Sequence, residues 1–135
     1  MIPIVCIDDA GGMLFNHRRV SRDSVLIEHI ISMTKDSKLW IREFSKELFK
    51  NCEVKIDDNC IHIAGKNDFC FIEDISPKDF MELYKTIVIC KWNRRYPSDL
   101  YLGIVPDNKK WSCGVIEEFQ GSSHDKITIE EWNVV

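Results

Sequence analysis

Residues 8–23 read Asp-Asp-Ala-Gly-Gly-Met-Leu-Phe-Asn-His-Arg-Arg-Val-Ser-Arg-Asp. This one stretch holds adjacent carboxylates (Asp8, Asp9), a glycine pair, His17, the cations Arg18, Arg19 and Arg22, and a closing Asp23. Paired carboxylates such as Asp8 and Asp9 can hold Mg²⁺ or pass protons; the plainer alternative is an Asx turn leading into Gly11-Gly12. Arginine favours planar carboxylate or phosphate partners, so His17, Arg18, Arg19 and Arg22 suit a nucleotide or a phosphorylated ligand. The alternative is a solvated loop whose arginines pair with Asp8, Asp9 or Asp23. Asp23 opens a helical pattern, where a carboxylate also simply supports the helix N-terminus.

Two other clusters carry chemistry. Trp92-Asn93-Arg94-Arg95-Tyr96 interleaves aromatic rings with guanidinium groups, as base stacking and phosphate contact require, or as packed aromatics beside a surface loop. Gly121-Ser122-Ser123-His124-Asp125-Lys126 places His124 among hydroxyls and a carboxylate. Neighbours in sequence do not make a catalytic triad, because triads are defined by geometry; the alternative is a polar hairpin loop. His17 and His124 could serve as acid and base of a metal-independent ribonuclease or phosphodiesterase, with Arg18, Arg19 or Lys126 on the phosphate. His29 and His62 read as structural.

The elements that must position these residues follow from hydrophobic periodicity. Ile2 to Ile7 is a nearly unbroken apolar run, the mark of a strand covered on both faces. Ser21 is placed to cap a helix running to about Lys35, with Asp23 in its first turn. Leu39-Trp40-Ile41 is a short buried strand, and Ser45 begins a second helix. Cys52 to Ile56 is a strand or a connector. Asp57-Asp58-Asn59 is a turn. Ile61-His62-Ile63 alternates as an exposed or edge strand. Phe69 to Glu73 is a strand, and Ser76-Pro77-Lys78-Asp79 starts a helix reaching residue 84. Thr86 to Trp92 is the clearest strand. Leu100 to Ile104 is a further short one, Pro106-Asp107-Asn108 turns the chain, and Ser112–Gln120 and Lys126–Val134 form a terminal hairpin.

The order implies a single three-layer α/β domain over residues 1–135, with a mixed, mainly parallel sheet, helices on both faces and a C-terminal antiparallel hairpin. The chain has 135 residues, 44% hydrophobic and 30% charged, enough to bury a core. A net charge of −4 argues against a protein that coats nucleic acid, although a local basic patch could bind one. No apolar run approaches the ~20 residues of a membrane span, and the N-terminus lacks the features of a signal peptide; the expectation is a cytoplasmic protein. Six cysteines (Cys6, Cys52, Cys60, Cys70, Cys90, Cys113) contain no C-x-x-C pair and are expected as buried reduced thiols.

Three places resemble dihydrofolate reductase. A first strand enters a Gly11-Gly12-Met13 loop and then a helix with an early Asp23. Leu39-Trp40-Ile41-Arg42-Glu43-Phe44-Ser45 is similar to the family's second strand and following helix start. Ile87 to Trp92, Tyr96-Pro97-Ser98-Asp99, Trp111, Val115–Phe119 and the last strand match its ending in order. The resemblance implies that Asp23 faces a pocket and hydrogen-bonds a pterin-like ring. The candidate ligand contacts are Asp8, Asp9, Arg18, Arg19, Arg42, Ser45, Arg94 and Arg95. Two departures stand out. No glycine pair follows the strand before Ile87, where the family cradles a nicotinamide cofactor's phosphates, and Arg18-Arg19-Val20-Ser21 replaces its Pro-Trp. The chain is also similar to small bacterial proteins that sometimes carry the name ribonuclease Z. That chemistry needs a dense His/Asp cluster for two metal ions, whereas His17, His29, His62 and His124 lie far apart in sequence. No metal site is expected, and the cofactor is left open. The leading expectation is a domain binding a pterin- or nucleotide-like small molecule, reductase-like without the usual NADPH site. The rivals are the ribonuclease above and a non-enzymatic interaction module, for which a homodimer and an apolar patch near Trp92, Tyr96 or Trp111 would speak.

Overall fold

A computed structural model of the chain describes residues 1–104 and 109–135; the Pro106-Asp107-Asn108 turn lies outside the described residues. Its centre is β1 (Ile2–Ile7), which pairs in parallel with β6 (Phe69–Phe71) on one side and β7 (Thr86–Lys91) on the other. Ile4 is opposite both Phe71 and Val88. Outward from β6 come β4 (Leu39–Ile41) and β5 (Lys55–Ile56), also parallel. Beyond β7 the direction reverses: β10 (Ile127–Val134) is antiparallel to β7, and β9 (Trp111–Phe119) closes the edge. The seven-stranded order is β5-β4-β6-β1-β7-β10-β9. This is the mixed, mainly parallel sheet with a terminal antiparallel hairpin that the sequence implies.

The unbroken apolar runs are explained by the layers. Along β1, Ile4 joins one core cluster while Val5 and Ile7 join the other; along β7, Val88 and Cys90 face one side and Ile87 and Ile89 the opposite one. Alternate side chains point to opposite faces, and both faces are covered, so the inner positions are apolar without alternation. The first face is covered by helix α1 (Ser24–Met33) through the buried Leu26 and Ile30. The second is covered by α2 (Cys60–Ile63) and by a 3-10 segment at Pro77–Leu83.

Several local expectations change. Helix α1 is capped by Asp23, not Ser21: the Asp23 carboxylate accepts from the Val25 and Leu26 backbone N–H groups, satisfying two donors that have no helical partner. Ile61-His62-Ile63 lies in the α2 turn rather than a strand. The asparagine-aspartate turn before it drives this, since Asp57 Oδ1 accepts from Asn59 N and the Asp57 carbonyl from Cys60 N. The helices expected after Ser45 and Ser76 are 3-10 segments, Glu43–Phe49 and Pro77–Leu83. The second is kinked at Phe80 (φ −138°, ψ 35°).

The largest addition lies within residues 8–23, where the sequence shows only a loop. β2 (Gly12–Phe15) and β3 (Arg18–Arg19) form a small hairpin, and β8 (Leu100–Tyr101) adds to β2 as a third strand. Asn16 and His17 sit at its tip with φ 51° and 59°, the left-handed values that a two-residue turn of matching twist demands. At its base Gly12 lies so close to the Ser98 side chain that a Cβ would come within 2.0 Å of Ser98 Oγ. All six cysteines are free thiols; Cys60, Cys70 and Cys90 are buried, whereas Cys113 on β9 is exposed, against the expectation for that residue.

Candidate functional site

Residues 8–23 divide into three stations. At the end of β1, Asp8 is buried, and its carboxylate is an internal tie. Oδ1 accepts from Ala10 N at 2.9 Å and Gly12 N at 2.6 Å, and Oδ2 accepts from Tyr96 N at 2.9 Å. Asp8 therefore joins the β1–β2 turn to the loop after β7. Its neighbour Asp9 is exposed, with its N–H donating to the Arg94 carbonyl.

The second station is Arg19. Its guanidinium grips Glu73 with two bonds, Nε to Oε1 and Nη2 to Oε2, both 2.9 Å. Nη2 also reaches the Phe44 carbonyl at 3.2 Å, and the guanidinium lies 5.3 Å from the Phe44 ring centre. Glu73 is buried and takes a further bond from Ser45 Oγ at 2.6 Å. The Glu73 hydrogen bond raises the Arg19 pKa above its ordinary value, opposing the lowering effect of burial. Bidentate charge-assisted pairs of this kind hold geometry firmly. Arg19 thereby pins the hairpin over the carboxyl ends of β4 and β6, the end of an open α/β sheet where ligands are generally bound. Arg42 stands nearby, bonded from Nε to Asp74 Oδ1 at 2.9 Å and to the Asp58 carbonyl.

The third station is Asp23, which six donors of the described residues surround. Oδ1 accepts from Val25 N, Leu26 N and Ser122 N at 3.0, 3.3 and 3.0 Å. Oδ2 accepts from Ser123 N, Ser123 Oγ and His124 Nδ1 at 2.9, 3.3 and 2.8 Å. Burial alone would raise the carboxyl pKa, but the His124 bond and the backbone donors of Ser123, Ser122 and Leu26 outweigh it and hold Asp23 well below the usual carboxylate range. An ionised Asp23 has no proton to give, so His124 donates to it from Nδ1 and turns Nε2 to the opposite side. That nitrogen lies 2.8 Å from Ser21 Oγ and 3.1 Å from the Tyr96 hydroxyl. The Trp92 ring stacks on the imidazole, with centroids 4.6 Å apart and planes at 22°.

Gly121 makes this approach of loop to helix feasible. A Cβ there would stand 2.3 Å from Asp23 Oδ2 and 2.9 Å from Ile127 Cδ1. Gly121→Ala is therefore expected to cost about 1–3 kcal/mol, the usual penalty of overpacking a site that cannot yield. Urea denaturation checks it as a lower midpoint with unchanged slope.

Between the stations runs an open cleft of about 540 Å³, lined by Phe15, Asn16, Arg18, Arg19, Val20, Tyr96 and Pro97. Of the residues singled out by sequence, Arg18, Arg19 and the aromatic Tyr96 meet here. Asp23 and His124 meet each other beneath Tyr96 and are buried. Ser45 joins Arg19 through Glu73, while Arg42 stands apart in its own ion pair. Arg22, Arg94 and Arg95 are exposed. His17 is exposed at the hairpin tip, and among the described residues no hydrogen bond links it to the His124 group. Trp92 and Trp111 are buried and Tyr96 half-buried, so these rings form no broad apolar surface. His29, which the sequence marks as structural, stacks on Phe119 and meets Glu117 at 2.8 Å.

Sequence reasoning missed Glu73 as a site residue, and it missed the roles of Ser21 and Gly121. Glu73 ends an apolar run and looks like a strand terminus; its burial depends on an arginine 54 positions earlier. Ser21 has a stronger local role available as a cap. Its real partner is 103 positions away.

The fit of a nicotinamide cofactor can be judged at β6. The stretch after this strand is Ile72-Glu73-Asp74, not a glycine pair, and two carboxylates there oppose a phosphate. The residues present at that turn do not fit the group. Among the described residues no group of three or more His, Cys, Asp and Glu side chains could hold a metal ion, and no helix is long and apolar enough to cross a membrane.

No protein-family model matches the chain, and no curated protein is similar to it in sequence. Solved structures are similar. A dihydrofolate reductase from Enterococcus faecalis, complexed with NADP(H) and RAB-propyl, superposes with a TM-score of 0.63. The match covers 98% of this chain and 95% of that one at 10% sequence identity. The fold is thus dihydrofolate reductase-like, and nothing in these likenesses supports the ribonuclease Z name.

Proposed function

We propose that the chain is a small-molecule-binding domain whose ligand, a planar pterin- or nucleotide-like heterocycle, sits in the cleft between the β2–β3 hairpin and the Tyr96 loop. One observation carries the reading: this cleft joins aromatic surface from Phe15 and Tyr96 to the exposed Arg18 guanidinium, beside the carboxyl ends of the parallel strands. A ring can stack on the aromatics, and an anionic group on the ring can pair with Arg18. The rigid anchors on either side, Arg19–Glu73 and Asp23–His124, hold the walls in place before binding, which reduces the ordering cost.

The dihydrofolate reductase likeness supports a ligand of this size, because that relative is complexed with NADP(H) and RAB-propyl. The carboxylates after β6 argue for a ligand that does not place a phosphate there. Thermal unfolding in the presence of pterins, folates, nucleotides and NADPH tests the reading. A ligand at a hundredfold excess over its Kd stabilises by about 2.7 kcal/mol, a rise of several degrees. Arg18→Ala should leave the unliganded protein unchanged and remove most of that rise. If none of these compounds shifts the transition, the reading fails.

A further inference from the structure

The Asp23–His124 pair has a third member whose placement a purely structural clasp does not need. The carboxylate addresses one imidazole nitrogen (Oδ2 to Nδ1, 2.8 Å) and the Ser21 hydroxyl addresses the other (Oγ to Nε2, 2.8 Å). Five further donors immobilise Asp23, and Trp92 holds the imidazole plane. Asp23 and His124 are buried, whereas Ser21 is only half-buried. Ser21 directly follows Val20, which with Tyr96 lines the cleft. The Tyr96 hydroxyl is 3.2 Å from Ser21 Oγ, placed as a donor beside it.

We propose that Ser21 is a nucleophile toward small carboxylic esters bound in the cleft, with His124 as its general base, Asp23 as the residue that orients His124, and Tyr96 as the hydrogen-bond donor to the oxyanion. A serine–histidine–aspartate arrangement is recognised by geometry and roles, not by sequence order or fold. A tyrosine hydroxyl is one of the side-chain donors able to serve an oxyanion. The cleft volume of about 540 Å³ suits a small ester, and Arg18 favours one with an anionic group.

The step balances with water as the only co-reactant. Ser21 Oγ bonds to the ester carbonyl carbon while its proton passes to His124 Nε2. The carbonyl electron pair moves onto the oxygen, facing the Tyr96 hydroxyl. As the pair returns, the bond to the alkoxide breaks, and the alkoxide takes the proton from Nε2. Water, deprotonated by Nε2, then attacks the acyl-serine and releases the acid, restoring Ser21. Ester and water become acid and alcohol.

The inference goes beyond ligand binding, and its test depends on Ser21 chemistry alone. The folded protein is treated with a fluorophosphonate and followed by intact mass and peptide mapping, and hydrolysis of 4-nitrophenyl acetate is measured in parallel. The expected result is one adduct per chain, on Ser21, with hydrolysis above the buffer rate. Ser21→Ala should abolish the adduct and lower the rate by about 100-fold or more, while keeping its circular dichroism spectrum because the Asp23–His124 bond persists. Tyr96→Phe should lower kcat on the order of 100-fold with KM little changed, which a merely structural tyrosine would not do. Wild-type protein that is folded yet gives no adduct on Ser21, or hydrolysis equal to that of Ser21→Ala, overturns the proposal. Ligands that stabilise the protein while Ser21 stays unlabelled would leave the binding reading standing and this one refuted; a labelled Ser21 with no stabilising ligand would do the reverse.

Discussion

Asp23→Ala is expected to destabilise the protein by about 3–5 kcal/mol, the range for stripping one partner from a buried charged network. The cost is concentrated because one carboxylate serves the α1 N-terminus and the β9–β10 loop together. Removing it leaves the N–H groups of Val25, Leu26, Ser122 and Ser123 and the His124 ring without their acceptor. A helix cap alone would cost only about 1 kcal/mol, so a loss that small would show that the loop is held by other contacts. The same residue sets an acid response. Its folded pKa is depressed, so its contribution is complete above the ordinary carboxylate pKa near 3.8 and is lost as pH falls through the lower folded value. Wild type and Asp23→Asn should therefore differ most in stability at pH 5–7, and the gap should close only in strong acid. Urea midpoints measured from pH 7 downward check this. A gap that closes already near pH 5 would contradict the depressed pKa.

Arg19→Met carries the second large effect. It leaves Glu73, 8% exposed, with the Ser45 hydroxyl as its one remaining side-chain partner among the described residues. A buried carboxylate stripped of its cation costs about 3–5 kcal/mol unless it takes up a proton; since the Arg19 side chain is 19% exposed, the lower end is expected. The second substitution distinguishes pair from packing. Glu73→Gln in the Arg19→Met background should recover much of the loss, because the uncompensated charge is gone, and the double-mutant cycle should show strong coupling. Additive losses would mean that Arg19 contributes mainly by packing its stem and its face on Phe44. Hydrogen exchange gives a local readout. The β2–β3 pairing of Leu14 with Arg19 should lose protection in Arg19→Met, while β1 and β7 keep theirs.

These two residues also mark how far local sequence reaches. Asp23 could be recognised as a helix-start carboxylate from its position alone, because capping is decided within a few residues. That it binds a histidine 101 positions later could not, since nothing local in Gly121-Ser122-Ser123-His124 specifies its docking. Ser21 shows the same limit in reverse. Its type and position predict a cap, yet capping falls to Asp23, and Ser21 turns to His124 and Tyr96 instead. The α2 turn went to helix because the Asp57 side chain and carbonyl, accepting from Asn59 N and Cys60 N, compete successfully with a weak strand pattern of only three residues.

By itself the sequence determined the layers. Apolar runs at Ile2–Ile7 and Thr86–Lys91 require a sheet covered on both faces, and the alternation in Ile127–Trp132 requires an edge hairpin; burial of apolar surface decides these over short windows. Only the tertiary structure decided the site. It folded residues 8–23 into a hairpin, made Asp8 a tie and Arg19 an anchor for a buried Glu73, and placed Asp23, His124, Ser21 and Tyr96 in one hydrogen-bonded group. The physical reason is that a polar side chain's role depends on which partners satisfy it once it leaves water, and those partners come from distant elements that the packed sheet brings together.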